Sequence, residues 1–124
     1  MREEPTINSF EQFWPFYVGE HRVPLNRLLH YIGTSGGIAI LVLTVFEFSS
    51  WWSMLAAPLV GYGFAFAGHF MIEGNKPASF RYPLWSFLAD FKMLCYGLTG
   101  RMGREVARLY GSRHPAPDAP RIVS

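Results

Sequence analysis

From Leu28 to Phe46 the chain runs for 19 residues with no ionisable side chain except His30 and Tyr31. A second such run follows Glu47, from Phe48 to Ile72, and only Tyr62 and His69 interrupt it. Neither run alternates with period two, and neither carries a polar stripe wide enough for a helix with one face in water. A bilayer core of about 30 Å needs about 20 helical residues at about 1.5 Å each, so both runs predict membrane-spanning helices. The competing arrangement, a helical hairpin buried inside a soluble bundle, leaves too little remaining chain to cover both helices. The connection, about Glu47 to Ser50, is short, so the two helices are expected to run antiparallel.

Small residues crowd both runs: Gly33, Gly36 and Gly37 in the first, Gly61, Gly63 and Gly68 in the second. They let two helices approach closely, while Pro58 predicts a kink in the second. Residues 83–100 (PLWSFLADFKMLCYGLTG) form a third apolar segment, and Asp90 and Lys92 make it an interfacial or partly buried helix rather than a third span. The basic amphipathic stretch 100–110 (GRMGREVARLY) is expected to lie on an anionic membrane surface. The predicted fold class is an all-α integral membrane helical protein, an antiparallel transmembrane hairpin with additional interfacial or re-entrant helices. One membrane-embedded domain is expected over residues 1–110. Residues 111–124, with Pro115, Pro117 and Pro120, are expected to form a disordered tail.

Composition sharpens this picture. Only 16% of the residues are charged while half are hydrophobic, against about a quarter charged in ordinary soluble domains. Such a chain is too apolar to be disordered, and its single cysteine, Cys95, read as an ordinary buried thiol, cannot build a disulfide scaffold or a thiolate zinc site. A net charge of +2 without one basic helix face argues against nucleic acid as a partner. The cations flank the spans: Arg2, Arg22 and Arg27 precede the first, Lys76 and Arg81 follow the second, and the connection has none. The positive-inside rule then puts both ends in the cytoplasm, with Trp51 and Trp52 at the opposite interface. The polar start MREEPTINSF does not read as a signal peptide, which leaves the first span as the insertion signal.

The candidate chemistry lies in the histidines. His114 belongs to the tail; the others are His21, His30 and His69. His30 lies 16 residues before Phe46 and His69 lies 18 residues after Trp51, so both stand roughly 24–27 Å from the turn, at similar depth. His21, nine residues before His30 and ahead of a helix-starting Pro24, can fold back to the same end. Glu73, four residues after His69, is expected on the same helix face. Three imidazoles and a carboxylate suit iron, zinc or manganese, with iron(II) favoured where oxygen needs open positions. Taken singly, each histidine would more simply hydrogen-bond at the interface, with Glu73 paired to an arginine. Arg22, Asn26, Arg27, Asn75, Lys76, Ser79, Arg81 and Tyr82 form a polar collar able to hold an amphiphile's head, and Glu20 and Asp90 are candidates to orient imidazole N–H groups.

The segments FYVGEHRVPLNRLLHYIGT (16–34), GHFMIEGNKPASFRYPLWSFLADFKM (68–93) and LTGRMGRE (98–105) resemble the Mpo-type 2-hydroxy fatty acid dioxygenases, small membrane proteins. The resemblance covers about residues 10–105. It implies an iron(II)-dependent α-oxidation in which a 2-hydroxy fatty acid and dioxygen give the fatty acid one carbon shorter. The family's important histidines fall on His21, His30 and His69, and Glu73 and Asn75 lie in its second block. The roles this implies are His21, His30 and His69 as metal ligands, Glu73 as a fourth ligand or nearby base, Asn75 in the site, and Arg22 or Arg27 near the substrate carboxylate. The substrate can chelate iron through its carboxylate and hydroxyl while its alkyl chain occupies an apolar cleft between the glycine-rich helices. The setting is the lipid bilayer, a bacterial plasma membrane in preference to the endoplasmic reticulum of a eukaryote, with a homo-oligomer left open. Two rivals remain: a b-type haem protein using His30 and His69 as axial ligands, and a non-catalytic membrane scaffold. A diiron hydroxylase would need more histidines.

Overall fold

The computed structural model describes residues 6–47 and 50–123, so Arg2, Phe48 and Ser49 lie outside the described residues. The described residues are all-helical with no strand: α1 (Phe10–Gly19), α2 (Pro24–Phe46), a 3-10 turn (Trp51–Leu55), α3 (Ala56–Ala67), a π-helical segment (Gly68–Glu73), a 3-10 turn (Ala78–Phe80), α4 (Pro83–Leu98) and α5 (Met102–Tyr110).

Ser9 caps α1 by accepting from the Gln12 N–H at 3.2 Å, which satisfies one of the free donors of the first turn. The helix buries Phe13, Trp14, Tyr17 and Val18. Those residues join Ala89 and Met93 of α4 and Met102, Val106 and Leu109 of α5 in one aromatic-rich core. The apolar stripe of α5 (positions 102, 106 and 109) is thus consumed by protein, being at most 3% exposed. The amphipathicity of α5 comes from packing against α1 and α4, while Arg101, Arg104 and Arg108 remain exposed on its outer face. The reading of Cys95 as a buried thiol is corrected, since it is exposed; α4 turns Ser86, Ala89, Met93 and Leu94 inward instead.

The two long apolar elements, Pro24–Phe46 and Trp51–Glu73, are each long and apolar enough to cross a membrane, and they stay largely uncovered by the rest of the chain. Their contacts pair in opposite chain order. The Thr44 and Ser53 hydroxyls meet at 2.7 Å, Gly37 faces the Ala57 carbonyl, Gly33 faces the Gly61 carbonyl, and His30 meets His69. A Cβ on Gly33 would stand 2.9 Å from the Gly61 oxygen, so the small residues are what permits this approach. Pro58 kinks nothing in the middle of a helix. The α-helical stretch begins only at Ala56, so the proline falls in its first turn, where a missing N–H is harmless.

The chain after Gly111 has no regular element but is tied back. The Ile122 N–H donates to the Leu109 carbonyl, and Arg22 Nη1 donates to the carbonyls of Ala116 (2.5 Å) and Ala119 (2.9 Å).

Candidate metal centre

Where the apolar pair α2–α3 meets the aromatic core, His21, His30 and His69 converge. All three are buried, at 1%, 3% and 2% exposure. Their ring centroids stand 4.4, 4.5 and 4.9 Å apart, and one nitrogen from each lies within 4.8 Å of the others. The convergence predicted by counting residues from the turn is what the structure contains. Local causes place each ring. His21 sits just past the end of α1, His30 lies two turns into α2, and His69 is carried by the π segment.

The hydrogen bonds settle which nitrogen faces inward. His21 Nδ1 is 2.6 Å from the Tyr17 carbonyl and His30 Nδ1 is 2.9 Å from the Asn26 carbonyl. A carbonyl can only accept, so both Nδ1 atoms carry the hydrogen. His69 Nδ1 is 2.7 Å from Asn75 Oδ1, whose own Nδ2 donates to the Glu20 carbonyl and to Glu20 Oε2. His69 Nδ1 is therefore also a donor. All three Nε2 lone pairs are left for the centre, and those of His21 and His30 face each other across 3.1 Å. Two imidazole nitrogens each about 2.1 Å from one transition-metal ion stand at about that separation. Burial, with His30 and His69 beside it, holds His21 well below the usual imidazole range, so it is neutral and able to ligate. The donor set fits a divalent metal, with each outer N–H fixed as metal-binding histidines usually have it.

Glu73 stands apart. Gly74 N–H bonds to the His69 carbonyl, the five-residue spacing of a π turn, so the α-helical rule that put Glu73 beside His69 does not hold. Its Oε1 instead accepts from the Val23 N–H at 2.5 Å and from Asn26 Nδ2 at 3.4 Å. A carboxylate at the start of α2 is well placed against the helix dipole. The two arginines are likewise committed to backbone. Arg27 Nη1 donates to the His21 and Arg22 carbonyls, both at 2.8 Å. Arg22 Nε donates to the Gly19 carbonyl, and its guanidinium lies 4.4 Å from the Tyr110 ring centroid.

Of the two carboxylates expected to orient imidazoles, Glu20 acts through Asn75. Burial raises its carboxyl above the usual range, with Arg22 opposing. Asp90 meets no imidazole by hydrogen bond; its Oδ1 accepts from the Tyr17 hydroxyl. Desolvation pushes its carboxyl up to about 6, against the opposing Tyr17 bond. Lys92 pairs with aromatic faces, 4.2 Å from the Trp14 ring centroid, rather than with Asp90. Tyr17 was missed from the sequence. It holds His21 by its carbonyl, stacks on that ring at 4.0 Å and donates to Asp90. The one available signal was its position four residues before His21.

Two cavities meet here. A small one of about 20 Å³ is lined by the three histidines with Tyr17, Tyr62, Ala65, Ser79, Ser86 and Asp90, among others. A larger one of about 180 Å³ runs between α2, α3 and α4, lined by Gly33, Thr34, Gly37, Ile38, Leu41, Ala57, Phe87 and Phe91, among others. Tyr62, Ala65 and Asp90 line both. An apolar passage therefore abuts the imidazole cluster.

Residues 7–102 match the family model described as 2-hydroxy-palmitic acid dioxygenase Mpo1-like. No curated protein and no solved structure matches the chain.

Proposed function

This chain belongs to the Mpo1-like family, and on that premise we propose that it is a membrane-embedded, iron(II)-dependent dioxygenase that shortens 2-hydroxy fatty acids by one carbon. One observation carries the reading: three inward Nε2 lone pairs stand beside an apolar cavity. His21, His30 and His69 would hold the metal. Iron(II) bound by three neutral imidazoles supplies open coordination positions and the redox capacity for dioxygen chemistry. The overall balance closes with one dioxygen per 2-hydroxy acid, giving the shortened acid, carbon dioxide and water.

The chain's own residues bind and orient. The Tyr17 and Asn26 carbonyls and the Asn75 amide fix the three rings. The alkyl chain lies in the larger cavity, where Gly33 to Leu41 spans about 12 Å of helix, and its apolar walls keep water from the reacting end. The uncovered faces of α2 and α3, including Leu28, Ile32, Val42, Val45 and Leu59, fit an antiparallel transmembrane hairpin. The histidines sit at its cation-rich, cytoplasmic end, facing the inside of a bacterial plasma membrane. Arg22 and Arg27 shape this end through backbone carbonyls, and Glu73 anchors the start of α2. A haem held between His30 and His69 is disfavoured because those rings, with His21 against both, leave no slot for a macrocycle.

Detergent-purified protein should contain iron and consume oxygen with 2-hydroxypalmitate, yielding the C15 acid, and His30→Ala should do neither. Absence of iron-dependent, His30-dependent oxygen uptake overturns the reading.

A further inference from the structure

Among the described residues, only two buried side-chain polar atoms have no hydrogen-bond partner, and one is Ser86 Oγ. A buried hydroxyl without a partner costs free energy and calls for an explanation. Helical hydroxyls usually bond the carbonyl one turn back. Thr44 does so to Ile40 at 2.8 Å and Thr99 to Cys95 at 2.7 Å, whereas Ser86, 4% exposed, does not. Its side chain lines the small cavity together with His21, His30 and His69. Asp90, four residues on and hence on the same face of α4, lines that cavity too and also borders the apolar one. Tyr17 engages Asp90 Oδ1, and among the described residues no second hydrogen bond to this carboxylate is found.

We propose that Ser86 and Asp90 read the 2-hydroxyl group of the substrate, Ser86 donating to its oxygen and Asp90 accepting its hydrogen. The assignment rests on the dioxygenase reading above and adds the residues that set its specificity. A hydroxyl both donates and accepts, which complements one hydroxyl donor beside one carboxylate acceptor. A substrate carboxylate would face Asp90 with like charge, so the carboxylate belongs on the metal side of the cavity. A fatty acid lacking the 2-hydroxyl leaves the Ser86 hydroxyl buried and unpaired and offers Asp90 no donor beyond Tyr17, the situation in which polar sites discriminate most strongly.

The test measures binding without turnover. Iron-loaded protein in detergent, under nitrogen, is dialysed against labelled 2-hydroxypalmitate and, separately, palmitate. Wild type should prefer the 2-hydroxy acid. Ser86→Ala should lose about tenfold in affinity for 2-hydroxypalmitate, with palmitate affinity, iron content and Tm unchanged, or Tm raised because an unpaired hydroxyl is gone. Asp90→Asn, which keeps shape but can present a donor where an acceptor is needed, should also weaken only the 2-hydroxy acid. An undiminished preference in Ser86→Ala, an equal loss for both acids, or a lowered Tm overturns the assignment alone. No preference in the wild type overturns the assignment and the dioxygenase reading together.

Discussion

His21 Nε2 and His30 Nε2 face each other at 3.1 Å with no hydrogen between them, because each ring spends its hydrogen on a backbone carbonyl behind it. Two lone pairs held that close repel unless a cation lies between them. The protein is therefore expected to be more stable with metal than without. Chelation should lower Tm, and iron(II) added under nitrogen at about a thousand times its Kd should restore roughly 4 kcal/mol. His30→Ala should abolish that response. A metal-independent Tm in the wild type would count against the centre.

Asn75 is a tether two contacts deep, from Glu20 to His69. Asn75→Ala should leave all three histidines in place yet weaken metal affinity about 10–100-fold. Metal titration monitored by Tm measures this directly. Asn75→Asp should weaken it less, since a carboxylate still accepts from His69 Nδ1.

Leu41 lines the larger cavity eleven residues beyond His30 on α2, about 16 Å along the helix. Leu41→Trp should shorten the space for an alkyl chain without touching the imidazoles. The expected result is a fall of roughly tenfold or more in kcat/KM for 2-hydroxypalmitate, with 2-hydroxydecanoate little affected. Equal losses for both acids would show that the cavity does not measure chain length.

Asp90 gives a pH signature. Its folded carboxyl is pushed up to about 6 from an ordinary value of 3.8. Between those values the folded state holds a proton that the unfolded state has released, so this group's contribution to stability falls as pH rises. Asp90→Asn cannot ionise. Relative to wild type it should gain Tm as pH rises from about 4 through 6 and hold that gain above, with the two nearly equal at the acid end. Parallel Tm–pH curves would refute the assignment of the raised carboxyl.

The sequence made the imidazole cluster legible because it reduces to arithmetic: two apolar runs, one short connection, and two histidines equidistant from it. His21 followed from its nine-residue spacing to His30. Glu73 was misplaced because a six-residue π segment has no periodic signature, and the α-helical four-residue rule was applied across it. Arg22 and Arg27 read as a substrate clamp because side-chain charge is visible in sequence and the carbonyls that capture them are not. The aromatic face of α1 and the inward stripe of α5 are amphipathic patterns whose partner, membrane or protein, only the packing decides. Ser86 carried no signal at all, because its distinction is a bond it does not make.

The π segment Gly68–Glu73 makes residue count, more than residue identity, the property under constraint at this end of the second long element. Substitutions at Phe70, Met71 and Ile72 keep the count and leave the path from His69 to Asn75 intact, whereas at Gly68 a Cβ would meet Asn26 Oδ1 at 1.9 Å. Removing a single residue between His69 and Glu73 lets the turn relax to α geometry and shortens the His69–Asn75 separation from six residues to five. Glu73 would then leave Val23, and Asn75 would leave His69. The stretch behaves as a spacer whose length is its message.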